Sequence, residues 1–193
     1  VFGTQHLMCD MLAEEMGIHG VDRHEIYTTV TGINPFTWLT RATCKAVDIY
    51  PLYAKFAEKY KDGYDKGGDK NWMNSSFACA QMVKFDLFRR YGYIAAAGDR
   101  HLAEFCPGSW YLKDPAQVDE WGYGLTSVAW RKEDLRKRLE RSRRLLSGEE
   151  DFKIESTGEE GVRQIRALLG LGDIITNVNI PNRGQIPNLP MDA

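Results

Sequence analysis

Long apolar runs are missing from this chain of 193 residues. Nothing approaches the roughly 18 to 20 consecutive apolar residues of a membrane-spanning helix, and no charged-then-apolar segment opens the chain as a secretion signal would. A dominant charge is missing too. The chain has 25 Lys and Arg against 27 Asp and Glu, a formal net charge of −2, so no broad field attracts nucleic acid or an anionic membrane. Cysteine is scarce. Cys9, Cys44, Cys79 and Cys106 are widely spaced without a Cys-x-x-Cys pair, which excludes a zinc ribbon and a disulfide framework and leaves buried free thiols. Internal repeats and low-complexity tracts are also absent. What remains is a globular, cytoplasmic protein whose hydrophobic content of 43% is ample for a core.

The elements follow from periodicity. Leu7, Met8, Met11 and Leu12 share one face of a helix over residues 4–16 that Gly17 stops. His6 and Cys9 lie three apart on it, a spacing compatible with two metal ligands and equally with packing. Residues 25–33 are β-branched and aromatic enough for a strand. Gly32-Ile33-Asn34-Pro35 turns it, and an extended pattern resumes from Trp38 to Val47. Pro51 opens a helix with a Leu52, Phe56, Tyr60 stripe. Residues 62–70 are rich in Gly and charge and read as a mobile surface loop with no face to bury.

From Ser75 a further helix runs to Gly92, burying Val83, Leu87 and Phe88 and leaving Lys84, Arg89 and Arg90 to water. Small residues Ala95 to Gly98 follow, then Asp99, Arg100, His101 and Glu104 within six positions. That cluster puts a base, a cation and an imidazole together. It also reads as an N-cap Asp99 with Arg100 and Glu104 paired at the surface. Residues 107–123 alternate Gly, Pro and aromatics without period; Trp110, Tyr111, Trp121 and Tyr123 offer stacking faces for sugars or simply pack. Residues 127–148 form the longest helix. Its basic residues are matched by Glu133 and Lys137, Asp134 and Arg138, and Glu140 and Arg144 four apart, the pattern of a solvated face. Thr157 with Glu160 makes a capping box for a last helix. Alternation in residues 175–180 predicts a strand, and the turn after it presents Asn182, Arg183, Gln185 and Asn188, suited to hydroxyls and a carboxylate or to ordinary turn chemistry.

Four ordered segments, VFGTQ at the start, GINPFTW at 32–38, GYIAAAGDRHLAEF at 92–105 and TNVNIPNRGQIPNLP at 176–190, resemble glycoside hydrolase family four, most closely its α-galacturonidase-like branch. The resemblance implies an α/β fold and hydrolysis of α-galacturonides with NAD and manganese. In that chemistry the sugar is oxidised at C3, a base removes the C2 proton, the glycosidic oxygen leaves by elimination, water adds and the hydride returns. By the same resemblance Asp99 is the C2 base, although some relatives have Tyr there. Asn34, Arg100, His101, Asn182 and Arg183 fall in segments that line the sugar pocket, where an Arg would hold a uronate carboxylate. A homo-oligomer is also implied.

Two departures qualify this. The family's Gly-x-Asn-His-x-x-Trp motif carries a metal-binding His where this chain has Pro35, and the family's metal-binding Cys would precede Val1. No Gly-x-Gly-x-x-Gly turn occurs either. Residues 1–193 are therefore expected to be a single, partial, substrate-side domain without the dinucleotide-binding half and without activity alone. The alternatives are a catalytically silent relative serving carbohydrate binding or assembly, and a family member acting on neutral glycosides.

Overall fold

A computed structural model of the chain describes residues 2–66, 78–155 and 160–191. The helix start expected at Ser75, residues 67–70 of the expected loop and the Thr157 cap lie outside the described residues. By contact the chain divides into two units, residues 1–125 with 181–193, and residues 126–180.

The first unit is a mixed helix and antiparallel-sheet structure, the α/β class expected. Helix α1 (Phe2–Met16) buries Leu7, Met8, Met11 and Leu12, each such side chain stabilising by about 1.5–3 kcal/mol. A 3-10 turn (Arg23–Glu25), closed by an Asp22/Glu25 capping box, leads into the hairpin β1 (Ile26–Ile33) and β2 (Phe36–Cys44). Ile33 pairs with Phe36, so Asn34 and Pro35 form a two-residue turn with a cis peptide between them. At Gly32 φ is +118°, and a Cβ there would stand 2.7 Å from the Phe36 carbonyl oxygen; only glycine fits this close approach. Thr29 pairs with Arg41 and Val30 with Leu39, leaving Thr40 as a bulge.

The other edge of β2 takes β3 (Val47–Asp48) at Thr43 and Cys44 and β4 (Ile94–Ala95) at Trp38 and Leu39. Helix α2 (Tyr50–Lys59), with Pro51 in its first turn, packs Tyr53 and Phe56 against α1 and the sheet. The segment after it is held in place: Tyr64 is buried, packs tilted against Phe56 with ring centroids 5.0 Å apart and donates to Asp10 Oδ2 at 3.1 Å. The expectation that nothing between 62 and 70 buries a face therefore fails at Tyr64, because an aromatic ring among glycines is enough to anchor a turn.

Helix α3 (Met82–Tyr91) separates two cores, Phe85 facing the first and Val83 and Leu87 the second. Gly92, at φ +73°, ends it. Helices α4 (Asp99–Phe105), α5 (Gly108–Tyr111) and α6 (Pro115–Glu120) complete the second core. The last two were missed in the aperiodic aromatic stretch, although Asp114-Pro115 is a helix-start signal: the Asp114 side chain accepts from Gln117 N at 2.9 Å.

The second unit contains α7 (Val128–Ser147) and α8 (Gly161–Leu168), neither with a buried residue. Ser127 caps α7 and Gly148 ends it. Glu133 and Lys137 approach to 3.8 Å and Asp134 and Arg138 to 2.7 Å; Arg144 turns instead to Glu150. Residues 175–180, expected as a strand, form none, since alternation makes a strand only where a ladder partner is supplied.

Candidate active site

The first turns of α3 are largely buried, Val83, Phe85 and Leu87 fully and Met82 and Phe88 in part. Met82, Val83, Phe85, Leu87 and Phe88 are spread around the helix circumference, so Lys84 and Asp86 have no wet face to occupy. Lys84, expected at the surface, is 1% exposed. Its Nζ donates to Thr4 Oγ1 at 3.1 Å, and Thr4 in turn donates to the Ala96 carbonyl at 2.9 Å. Asp86 accepts from Arg90 Nε at 2.7 Å, from Arg89 at 3.2 Å and from the Tyr111 hydroxyl at 2.7 Å. Burial pushes that carboxyl up, but the hydrogen bonds of Arg90 and Tyr111 and the charge of Arg89 outweigh it and hold Asp86 below the usual range.

Asp99 closes the same cluster. It is fully buried, and it does not cap its own helix: Gly98 holds the N-cap position of α4. Instead its Oδ2 accepts from Val83 N at 3.2 Å and its Oδ1 from Lys84 N at 3.1 Å, so it satisfies two open N–H groups at the start of α3 from 15 and 16 residues away. Burial raises its carboxyl to about 6, against the opposing pull of Lys84 and these backbone donors. Lys84 is pulled down by the same burial, partly offset by Cys79 and Asp99.

Two polar atoms among the described residues meet this region without a hydrogen-bond partner, the Tyr53 hydroxyl and Gln81 Oε1, both buried. Gln81 also holds a left-handed backbone, φ +62°, a conformation that costs a non-glycine residue about 1 kcal/mol or more. Cys79, buried and raised to about 11 by desolvation, sits against the N–H groups of Gln81 and Asp99.

The other expected site residues are placed differently. Asn34 is exposed at the hairpin tip beside Pro35. Arg100 and His101 follow Asp99 half-buried on α4, and His101 Nδ1 lies 3.6 Å from Glu104. Asn182 is buried inside its own turn. Its Nδ2 donates to the carbonyls of Ile186, Leu189 and Pro190 while its Oδ1 accepts from Ile186 N, so its amide shapes the loop. Arg183 is exposed, its N–H taken by Gln185 Oε1. Asp99, Arg100 and His101 thus stand together on one helix, and the 182–190 turn is organised from within.

Beyond the other end of α4 the hairpin tip meets an aromatic groove of about 540 Å³ lined by Phe36, Trp38, Tyr91, Tyr93, Phe105 and Trp110, with the bulged Thr40 on its wall. Phe36 stacks on Phe105 at 5.3 Å, and the Arg90 guanidinium lies 4.6 Å from the Trp110 ring.

The described residues do not by themselves fit the metal and dinucleotide that the resemblance implies. Among the described residues no group of three His, Cys, Asp or Glu side chains could hold a metal, and Pro35, at the position where the resemblance implies a ligating His, offers no donor. The sheet is antiparallel throughout, so the parallel βαβ turn that cradles a dinucleotide is not built from these residues. No helix among them is long and apolar enough to cross a membrane.

A mixed domain with this hairpin, this buried carboxylate and the motifs around it has a known counterpart: the model for the C-terminal domain of family 4 glycosyl hydrolases matches residues 30–193. The chain belongs to that family. Over its whole length it is 59% identical to the alpha-galacturonidase of Thermoanaerobacterium saccharolyticum and 51% identical to that of Lachnoclostridium phytofermentans, covering 42% of each. It superposes on the crystal structure of Bacillus subtilis lplD with a TM-score of 0.86 at 45% identity, over all of this chain and 43% of that one. The chain thus spans about two-fifths of the length of the curated relatives it matches.

Proposed function

We propose that the protein acts in the hydrolysis of α-galacturonides, contributing the substrate side of the site, with Asp99 as the group that takes the proton from C2. The observation that carries this is the 59% identity to an alpha-galacturonidase over the whole length of the chain. Asp99 suits the role electrostatically: a carboxyl raised to about 6 is a better base near neutrality than an exposed one near 3.9. Arg100 and His101, next to it on α4, are the groups we assign to the uronate carboxylate and a sugar hydroxyl, with Asn34 and Arg183 at the rim. NAD and a divalent metal are what the resemblance implies for the oxidation and for stabilising the enediolate. The described residues supply neither site by themselves. Cytoplasmic location and a homo-oligomer belong to the same proposal.

Two specific observations favour a second reading, a silent relative that binds carbohydrate or serves assembly. Pro35 removes a ligand, and Asp99 has no exposed surface, its two oxygens turned to the α3 backbone. The aromatic groove would then be the sugar-stacking surface.

A chimera separates the two. The matching 42% of the T. saccharolyticum enzyme is replaced by this chain, with and without Pro35→His, and release of galacturonic acid from an α-galacturonide and of sugar from a neutral galactoside is measured. Activity of the unaltered chimera on the galacturonide supports the first reading. Activity only with Pro35→His means a lost metal ligand, and silence of both, in folded protein, favours the second.

A further inference from the structure

We propose that Lys84 is a positioning residue for Asp99: its buried ammonium, moored on Thr4, is the counter-charge that keeps the Asp99 side chain a carboxylate where the α3 backbone N–H groups hold it. The catalytic part of this proposal rests on the assignment of Asp99 as the C2 base.

First, Lys84 holds Asp99 with its backbone N–H at 3.1 Å while its side chain leaves in another direction, to Thr4 Oγ1 at 3.1 Å. An ammonium has three donors, and a neutral hydroxyl alone is poor compensation for a charge that is 1% exposed. A nearby anion accounts for its survival inside the protein. Second, the titratable groups whose charge is felt at Asp99 are Tyr53 of α2, Cys79 ahead of α3, Lys84 of α3 and Tyr123. Three of these are neutral acids with burial raising their pKa, so Lys84 supplies the positive charge in this set. Third, the mooring joins three elements that the sequence separates widely. Thr4 is 80 residues from Lys84 and bonds the carbonyl of Ala96, three residues before Asp99. A shift of α1 would therefore move the cation relative to the carboxylate, and the two are set together.

The test is a titration of the Asp99 carboxyl in the 193-residue chain by carbon NMR with labelled aspartate, its signal assigned from Asp99→Asn, comparing the parent with Lys84→Met. A cation near a carboxylate lowers its pKa, so removing it must raise the midpoint. The parent is expected near 6, and Lys84→Met about 1 to 2 pH units higher. Lys84→Gln, of similar length and also neutral, provides the same reading should the Met variant fail to fold. An unmoved midpoint in a folded variant overturns the proposal, because it would mean that Lys84 is itself uncharged or that its charge does not reach Asp99. A role confined to packing would lower the melting temperature without moving this titration.

In the active chimera, Lys84→Met should carry the acid limb of the kcat/KM profile to higher pH in step with the NMR midpoint, with KM changed less than about twofold. A limb that stays in place while the NMR midpoint moves would overturn the catalytic part. An inactive parent chimera would count against the galacturonidase reading instead, and the titration of the isolated chain would still decide whether Lys84 governs Asp99.

Discussion

Asp99→Asn is expected to stabilise the chain at neutral pH and destabilise it in acid. A carboxyl raised from 3.8 to about 6 in the folded state binds its proton more tightly when folded than when unfolded. Its contribution is therefore fully present below about pH 4 and lost as pH rises through about 6, and the loss amounts to about 3 kcal/mol. Asn imitates the protonated form at every pH, so it escapes this loss. It brings its own cost: its single oxygen serves one of Val83 N and Lys84 N, and the other N–H faces an NH₂, at about 1–2 kcal/mol. The two effects cross. At about pH 4 the variant should be less stable by about 1–2 kcal/mol, and at about pH 7 more stable by a similar amount, a few degrees in melting temperature. Urea unfolding of parent and variant at both pH values, followed by tryptophan fluorescence, measures the difference directly. If the variant loses more relative to the parent at pH 7 than at pH 4, the carboxylate is a net stabiliser with a depressed pKa, and the account of a desolvated, weakly compensated Asp99 is wrong.

The turn between β2 and β3 holds Lys45 and Ala46 at φ +46° and +67°, the pair of positive values that Asn-Gly adopts at least cost; Lys45→Asn with Ala46→Gly should raise stability by about 1 kcal/mol, seen in the same unfolding assay. Cys79, 5% exposed and raised to about 11, should react with a thiol reagent at neutral pH about a hundredfold or more slowly than free cysteine, and promptly in urea. Mass spectrometry of the labelled peptides checks this, and labelling of Cys79 as fast as that of Cys106 would contradict its burial.

Elements that a local rule controls were legible. The stripe Leu7, Met8, Met11, Leu12 with Gly17 after it, the β-branched hairpin broken at Asn34-Pro35, Pro51 before its helix and Ser127 to Gly148 around the longest one all carry their own punctuation, and all appear within a few residues of the expected bounds. Lys84 shows where the rule stops. A charged residue was expected in water, yet α3 packs on both sides, a fact about neighbours that the spacing of Val83, Leu87 and Phe88 does not contain. The extra apolar positions Met82 and Phe85 were the available sign. Asp99 is similar: its position before Arg100 and His101 reads as a local cap, while the N–H groups it satisfies belong to residues 83 and 84. Motif singled out Asp99, Arg100, His101 and Asn34, of which the first three are neighbours on α4 and Asn34 lies at the hairpin tip; the residues around Asp99, namely Thr4 of α1, Tyr53 of α2 and Gln81 and Lys84 at the start of α3, were not singled out, because they come from elements far apart in sequence.

The bonds that Asp99 makes run to main-chain N–H groups, which every residue but proline possesses. Val83 can therefore change to another side chain of its size without disturbing the joint between α3 and α4, whereas position 99 admits few replacements. In a library of random substitutions the tolerance at these two ends of one contact should be lopsided: a broad set of apolar residues at 83, and a narrow set of short acceptors at 99. A position of that kind keeps its identity for assembly of the fold even in a lineage that has abandoned catalysis.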